Sequence, residues 1–223
     1  MSKNILIVGA SGLVGGEILK NLKTTNNDLI LLSRKKLICE NSINQIVIDF
    51  ENIDSLDASL KVDEIYIAIG QKLSLSELVY IKKNNKKSFV NVDYNYIKKV
   101  AEFAKKCGAS SLGLISAIGA NSKSFNTYLK VKGDVEQEIK LVGYKKIIIA
   151  HPSHLLGKRA GENIPMNVKV FEQITNLFGL LMIGPLQKFR NVEAKKVAKA
   201  IISKMDSVEE GIHYIDYKYF KNF

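Results

Sequence analysis

The sequence predicts an α/β fold, a doubly wound, Rossmann-like parallel sheet, on two observations. Short, fully apolar runs alternate with longer amphipathic stretches through most of the chain, as expected of strands covered on both faces by crossover helices. The first such run, Ile5–Val8, leads directly into Gly9-Ala10-Ser11-Gly12-Leu13-Val14-Gly15 and a helical stretch to about Leu22. Strand, glycine turn and helix in that order place a dinucleotide pyrophosphate on a helix N-terminus. Gly9 turns the chain off the strand, Gly12 lets backbone N–H groups approach phosphate, and Gly15 brings the helix close to the sheet.

The remaining elements follow in turn. Leu29–Leu32 is a second strand, Gln45–Ile48 a short third ending at Asp49-Phe50, and Glu64–Ile69 a fourth ending at Gly70. Asn91–Lys106 carries Val92, Ile97, Val100, Ala101 and Ala104 near helical spacing. Leu112–Ile115 is a fifth strand ending at Ser116, a helix covers about Asn126 to Leu141, and Lys146–Ala150 is a sixth strand stopped by Pro152. Right-handed crossovers put ligands beyond the carboxyl ends of these strands. Residues 153–166 read as a loop, with helices over Asn167–Phe178 and Val192–Met205 and a closing strand over Gly211–Phe220. The chain therefore reads as one domain: residues 1–152 form a cofactor-binding core and 153–223 a small lobe roofing a substrate cleft.

At 223 residues, 46% of them apolar, the chain can bury a full core. Its net charge of +11 comes almost entirely from lysines; Arg34, Arg159 and Arg190 are the only arginines. Dispersed lysine pairs such as Lys82-Lys83 and Lys195-Lys196 describe a solvated surface rather than a nucleic-acid reader with arginine forks and stacking aromatics. Cys39 and Cys107 have neither metal-ligand spacing nor a C-x-x-C motif, so no metal site is expected. Those isolated thiols, with no signal-peptide pattern or stretch long enough to span a membrane, lead to the expectation of a soluble, cytoplasmic protein.

The strand ends name the cofactor. NAD sites place an acid after the second strand to bind the ribose 2′-OH, whereas NADP sites place arginine there for the 2′-phosphate. Here that position reads Ser33-Arg34-Lys35, and Asp28 lies at the wrong end. NADPH is expected over NADH. Asp49 and Phe50 are placed to meet adenine, and Ala68-Ile69-Gly70 to let the ribose pass close to backbone.

Tyr128-Leu129-Lys130-Val131-Lys132 contains Tyr-x-x-x-Lys, but so do Tyr94/Lys98, Tyr214/Lys218 and Tyr217/Lys221. Position selects the first, on the helix after the fifth strand and beyond Ser116. At i,i+4 the two side chains share a face. A lysine ammonium there favours phenolate and draws the tyrosine pKa down toward the working range. Ser116 is then a donor to the substrate oxygen. His151 and His154 have no third partner at a useful spacing and read as core or loop residues.

With these residues in hand, the chain resembles a short-chain dehydrogenase/reductase of the atypical branch, which favours the Gly-x-x-Gly-x-x-Gly turn. It is similar, more narrowly, to the Tat-interacting-protein group of NADPH-binding oxidoreductases. The matching stretches are Val8–Gly15, Leu32–Lys36, Val47–Phe50, Phe89–Ala104, Ser116–Asn121 and Tyr128–Val135. The likeness covers about residues 3 to 157 and fades beyond. It implies catalytic roles for Ser116, Tyr128 and Lys132, and NADPH contacts from Gly9, Ser11, Gly12, Leu13, Val14, Arg34, Asp49 and Phe50. Such proteins commonly read Arg-Pro-Gly after the sixth strand, where this chain has His151-Pro152-Ser153. Pro152 keeps the turn near the nicotinamide amide, with Ser153 beside it.

The expected activity is NADPH-dependent reduction of a small carbonyl or quinone-like substrate, with an NADPH-binding regulator that lacks turnover as the alternative. A nucleotide-sugar epimerase is disfavoured by the short tail. Oligomeric state is open at this level.

Overall fold

The computed structural model describes residues 2–38, 43–157, 182, 184–207 and 209–223. Nine strands lie among them: β1 Asn4–Val8, β2 Asp28–Ser33, β3 Asn44–Val47, β4 Glu64–Ile67, β5 Ser111–Ile115, β6 Lys146–Ala150, β7 Leu155–Leu156, β8 Val192–Glu193 and β9 Gly211–Ile215. Seven form one sheet in the order β3-β2-β1-β4-β5-β6-β9, parallel throughout. The chain works outward from β1 to β3, then returns to place β4 on the other side of β1. That reversal opens a crevice above the carboxyl ends of β1 and β4, where doubly wound sheets take ligands.

Alternate residues of β1 serve opposite faces. Ile5 and Ile7 pack with Val14, Ile18 and Leu22 of α1 (Leu13–Leu22) and with Val197, Ile201 and Met205 of a late helix. Leu6 and Val8 pack with Val100, Ala101, Ala104, Val135 and Ile139 from two central helices. Burial on both faces explains why the strands carry continuous apolar runs.

The intervening helices are α2 Leu75–Val79, α3 Lys83–Val90, α4 Ile97–Lys106, α5 Thr127–Leu141, α6 Ala194–Asp206 and α7 Tyr217–Phe220. The helix expected from Asn91 begins at Lys83 and contains a π-helical turn over Asn91–Tyr96. Residues 82–88 are exposed, so they carry no apolar periodicity to announce it. α2 is equally silent in pattern, and a capping box between Ser74 and Glu77 starts it. β4 stops at Ile67, two residues before the expected end, although the Ala68 N–H still donates to Val8 O of β1 at 2.8 Å. The expected closing strand ends at Ile215, because Asp216 accepts a hydrogen bond from the Lys218 N–H at 2.9 Å and starts α7.

Residues 153–223 were expected to roof the cleft, yet much of what is described there belongs to the body of the fold. Ala194, Val197, Ala198, Ile201 and Met205 give α6 an apolar stripe buried against the sheet, and β9 extends that sheet beside β6. Gly113 of β5 lets α6 approach: a Cβ there would stand 3.1 Å from both Ile201 Cδ1 and Met205 Cε. The helix expected over Asn167–Phe178, the apolar side chains of Met166, Phe171, Phe178 and Leu180, and Cys39 lie outside the described residues. Among the described residues no helix is long and apolar enough to cross a membrane, and no cluster of His, Cys, Asp and Glu could hold a metal ion.

Candidate active site

The turn after β1 is built around contacts too close for any side chain. Gly9 adopts φ +95°, and a Cβ on it would meet the Ala68 carbonyl oxygen at 2.6 Å. A Cβ on Gly15 would lie 2.1 Å from the Gly9 carbonyl oxygen. Gly15 thus seats the first turn of α1 on the loop, whereas its expected role was contact with the sheet. The Gly12 N–H donates to Gly9 O at 2.8 Å, and the N–H groups at the start of α1 have no partner within the helix. Ser11, Gly12, Leu13 and Val14 border a cleft of about 530 Å³ that runs across the β1–β4 crevice. That volume lies in the range of small-molecule and cofactor sites.

At one end of the cleft stand Ser33, Arg34, Phe50 and Tyr96. The Ser33 hydroxyl donates to Lys35 O at 2.7 Å, so it shapes the turn that presents Arg34. Phe50 and Tyr96 meet edge to face with centroids 5.6 Å apart. The Tyr96 phenol donates to Glu51 Oε1 at 2.8 Å, which chiefly pushes its pKa up to about 12. Asp28 is exposed at the start of β2, at the opposite edge of the sheet.

At the other end, α5 brings Tyr128 and Lys132 to the cleft with Ser116 from the end of β5. Their partners differ from expectation. Lys132 Nζ lies 2.8 Å from Asp93 Oδ1, both side chains almost wholly buried. Burial alone would push the ammonium's pKa down, but Asp93 foremost, with Tyr128 and Glu136, outweighs it and holds Lys132 above the ordinary lysine value. Tyr128 is raised, chiefly by burial and also by Asp93, with Lys132 opposing. The expected lowering of the phenol is therefore not realised in this arrangement. Ser116, expected to donate to substrate, donates to Glu136 Oε1, which also accepts from His151 Nε2 at 2.8 Å. A substrate oxygen receives that serine proton only by displacing Glu136.

The helix carrying these groups is itself tightly seated. A Cβ on Gly133 would lie 2.2 Å from Ser122 N and 2.3 Å from Asn121 C. Gly133→Ala is expected to destabilise the fold by about 1–3 kcal/mol, the usual cost of overpacking, and to shift α5; thermal unfolding checks it.

Of the residues singled out in the sequence, Gly9, Ser11–Val14, Ser33, Arg34, Phe50, Ala68, Ile69, Gly70, Ser116, Tyr128 and Lys132 border the cleft. Ala10, Gly15, Lys35, Asp49, Pro152 and Ser153 do not. Asp49 caps the short helix over Phe50–Ser55 by accepting from the Glu51 N–H. Pro152 O accepts from the Ile118 N–H, and the Ser153 hydroxyl donates to Arg190 O. The rival Tyr-x-x-x-Lys pairs lie off the cleft. Asp93, Glu136 and His151 went unrecognised as partners of the site. The signal was present for the two acids, since each falls on the apolar stripe of its helix, where an ionised group needs a partner.

No family model matches the chain. It is 32% identical over 165 residues to Protein HTATIP2 of Rattus norvegicus, across 71% of this chain and 65% of that protein. It thus spans just under two thirds of that relative's length. To Protein FMP52, mitochondrial, of Lodderomyces elongisporus it is 30% identical over 176 residues, 71% of this chain and 69% of that protein. A short-chain dehydrogenase family protein from Francisella tularensis superposes with TM-score 0.68 at 15% identity, covering 99% of this chain and 100% of that one. The Bordetella bronchiseptica enzyme WbmH, solved with NAD+, gives TM-score 0.70 at 14% identity over 97% of this chain and 76% of that one. These two structures share the Rossmann-like α/β fold described above. The chain belongs to the family of the HTATIP2 and FMP52 proteins.

Proposed function

We propose that this protein is an NADPH-dependent oxidoreductase that reduces a small carbonyl or quinone-like substrate. One observation carries the reading: the glycine turn, Arg34 and the Tyr128/Lys132 pair, far apart in the chain, border a single cleft at the sheet's switch point. The solved neighbour WbmH, bound to NAD+, supports a nicotinamide cofactor. The residues present fit such a group. Cβ-free backbone and the N–H groups opening α1 suit a pyrophosphate, and Arg34 suits a 2′-phosphate. When bound, the dinucleotide supplies the hydride. Tyr128 supplies the proton at its phenol oxygen, Lys132 positions and charges that end of the cleft, and Ser116 borders the reacting oxygen.

Titration with NADPH and NADH, followed by a carbonyl and quinone panel read by cofactor absorbance, tests the proposal. Arg34→Ala is expected to weaken NADPH binding about 10- to 100-fold, the worth of one charge-assisted contact, and to leave NADH nearly unchanged. Equal losses for both would place the 2′-phosphate elsewhere. A second reading, an NADPH-binding regulator without turnover, draws on the commitment of the Ser116 proton to Glu136. Tight NADPH binding with no oxidation across the panel would favour it. We place the protein in the cytoplasm, with a small-molecule substrate and no specific nucleic-acid partner. Cell fractionation that recovers it with mitochondria, as the name of the FMP52 relatives states for them, would overturn that placement.

A further inference from the structure

Asp93 stands on the π-helical turn Asn91–Tyr96 between α3 and α4. Such turns insert a residue into a helical face and recur at functional sites. Its Oδ1 holds Lys132 Nζ at 2.8 Å, and its Oδ2 accepts from the Gln71 N–H at 2.7 Å. Gly70 leaves room for the pair: a Cβ there would come within 3.1 Å of Asp93 Oδ1 and 3.8 Å of Lys132 Nζ. A pair serving packing alone has no reason to face ligand space, but both partners border the cleft, with Lys132 one helical turn from Tyr128.

We propose that Asp93 is the positioning residue of the proton-donating end: its carboxylate fixes Lys132 beside Tyr128 and offsets part of the lysine's charge there. This rests on reading the cleft as an oxidoreductase site. Burial acts most strongly on Tyr128; of the charges, Lys132 on α5 pulls its pKa down and Asp93 on the π turn opposes with a smaller effect, while Lys132 itself also faces Glu136 of α5. The ring also packs on Phe89 of α3, which does not titrate.

With a reduced nicotinamide dinucleotide bound, which would supply the hydride to the substrate carbonyl carbon, the C=O π pair would move to oxygen, and that oxygen would take the proton as the Tyr128 O–H bond breaks, leaving a phenolate that water reprotonates. The reverse reaction would start from that same phenolate.

The test is NMR titration of the cofactor-free protein labelled at tyrosine Cζ and lysine Nζ, with Tyr128→Phe assigning the phenol signal. In the wild type, Tyr128 is expected to remain a phenol and Lys132 an ammonium up to at least about pH 10, the value of a free tyrosine. In Asp93→Asn the buried ammonium has lost its nearest counter-charge, and Glu136 remains as the weaker one. The Tyr128–Lys132 pair is then expected to release a proton at least about one pH unit lower. Asp93→Asn with an unshifted titration and reduced thermal stability would mean that Asp93 only packs, and would overturn the proposal. So would wild-type Tyr128 ionising between about pH 6 and 9, well below its free value. Should Asp93→Asn not fold, the Asp93→Asn/Lys132→Met double variant removes both charges together. Tyr128 is expected to ionise there no lower than in the wild type, and a fall of more than about one unit would refute the offset. Failure of the oxidoreductase reading is separate: it appears as wild-type protein that neither binds nor oxidises NADPH, whatever the cofactor-free titration shows.

Discussion

Tyr128→Phe is expected to keep NADPH affinity while carbonyl-dependent NADPH oxidation falls by about 10²–10⁴-fold, the usual contribution of a positioned general acid. The substitution removes one oxygen and preserves the ring. That ring packs on Phe89 at a centroid distance of 5.9 Å and belongs to a small cluster with Val131 and Ile81. The fold and the cofactor end of the cleft should therefore be untouched, and the loss should fall on kcat. Burial foremost and Asp93 second hold the phenol above its ordinary pKa, against the pull of Lys132. The acid form therefore persists through neutral pH, and wild-type reduction should show no decline there from loss of the Tyr128 proton. Equal turnover by the variant and the wild type would remove Tyr128 from the mechanism.

Gly15→Ala should abolish measurable NADPH binding and lower thermal stability, although alanine exceeds glycine in helix propensity by about 0.8–1.0 kcal/mol. The new methyl would sit 2.1 Å from Gly9 O and 2.6 Å from Gly9 C, both backbone atoms. Relief requires α1 to move off the turn, and with it the N–H groups that open the helix. Overpacking of this kind costs about 1–3 kcal/mol and sometimes more. Gly16→Ala is the control: its methyl would stand 3.3 Å from Ala10 O, so a far smaller loss is expected. Melting curves with and without NADPH separate the two effects. An unchanged cofactor-induced rise in melting temperature for Gly15→Ala would show that this turn does not hold the dinucleotide.

The linkage of Lys132 to stability has a definite sign. Its folded pKa is raised, so the stabilisation from its pairing is fully present below the unfolded value of about 10.5 and is lost as pH rises through the folded value. The pair is intact across the physiological range.

Much of this architecture was legible without coordinates. Six strands and the helices around them announced themselves through burial: Leu6 and Val8 against one helical layer and Ile5 and Ile7 against the other leave no place for a polar residue. The glycine turn was equally plain, because contacts of 2.1 and 2.6 Å admit no other residue type. The exposed helix at Lys83–Val90 stayed hidden for the opposite reason, having almost no apolar face to leave a period.

Periodicity and steric exclusion are properties of neighbouring residues, so the order of elements, the glycine turn and Arg34 at the end of β2 were determined by the chain itself. Charge pairing acts through space between segments distant in sequence. Only the tertiary structure decided that Lys132 faces Asp93 rather than acting on Tyr128 alone, and that Ser116 gives its proton to Glu136, which His151 also holds. Desolvation makes each of those choices necessary, since a buried ion needs a counter-charge or a hydrogen-bond donor. Which partner supplies it depends on how α5, the π turn and the end of β6 meet above the sheet.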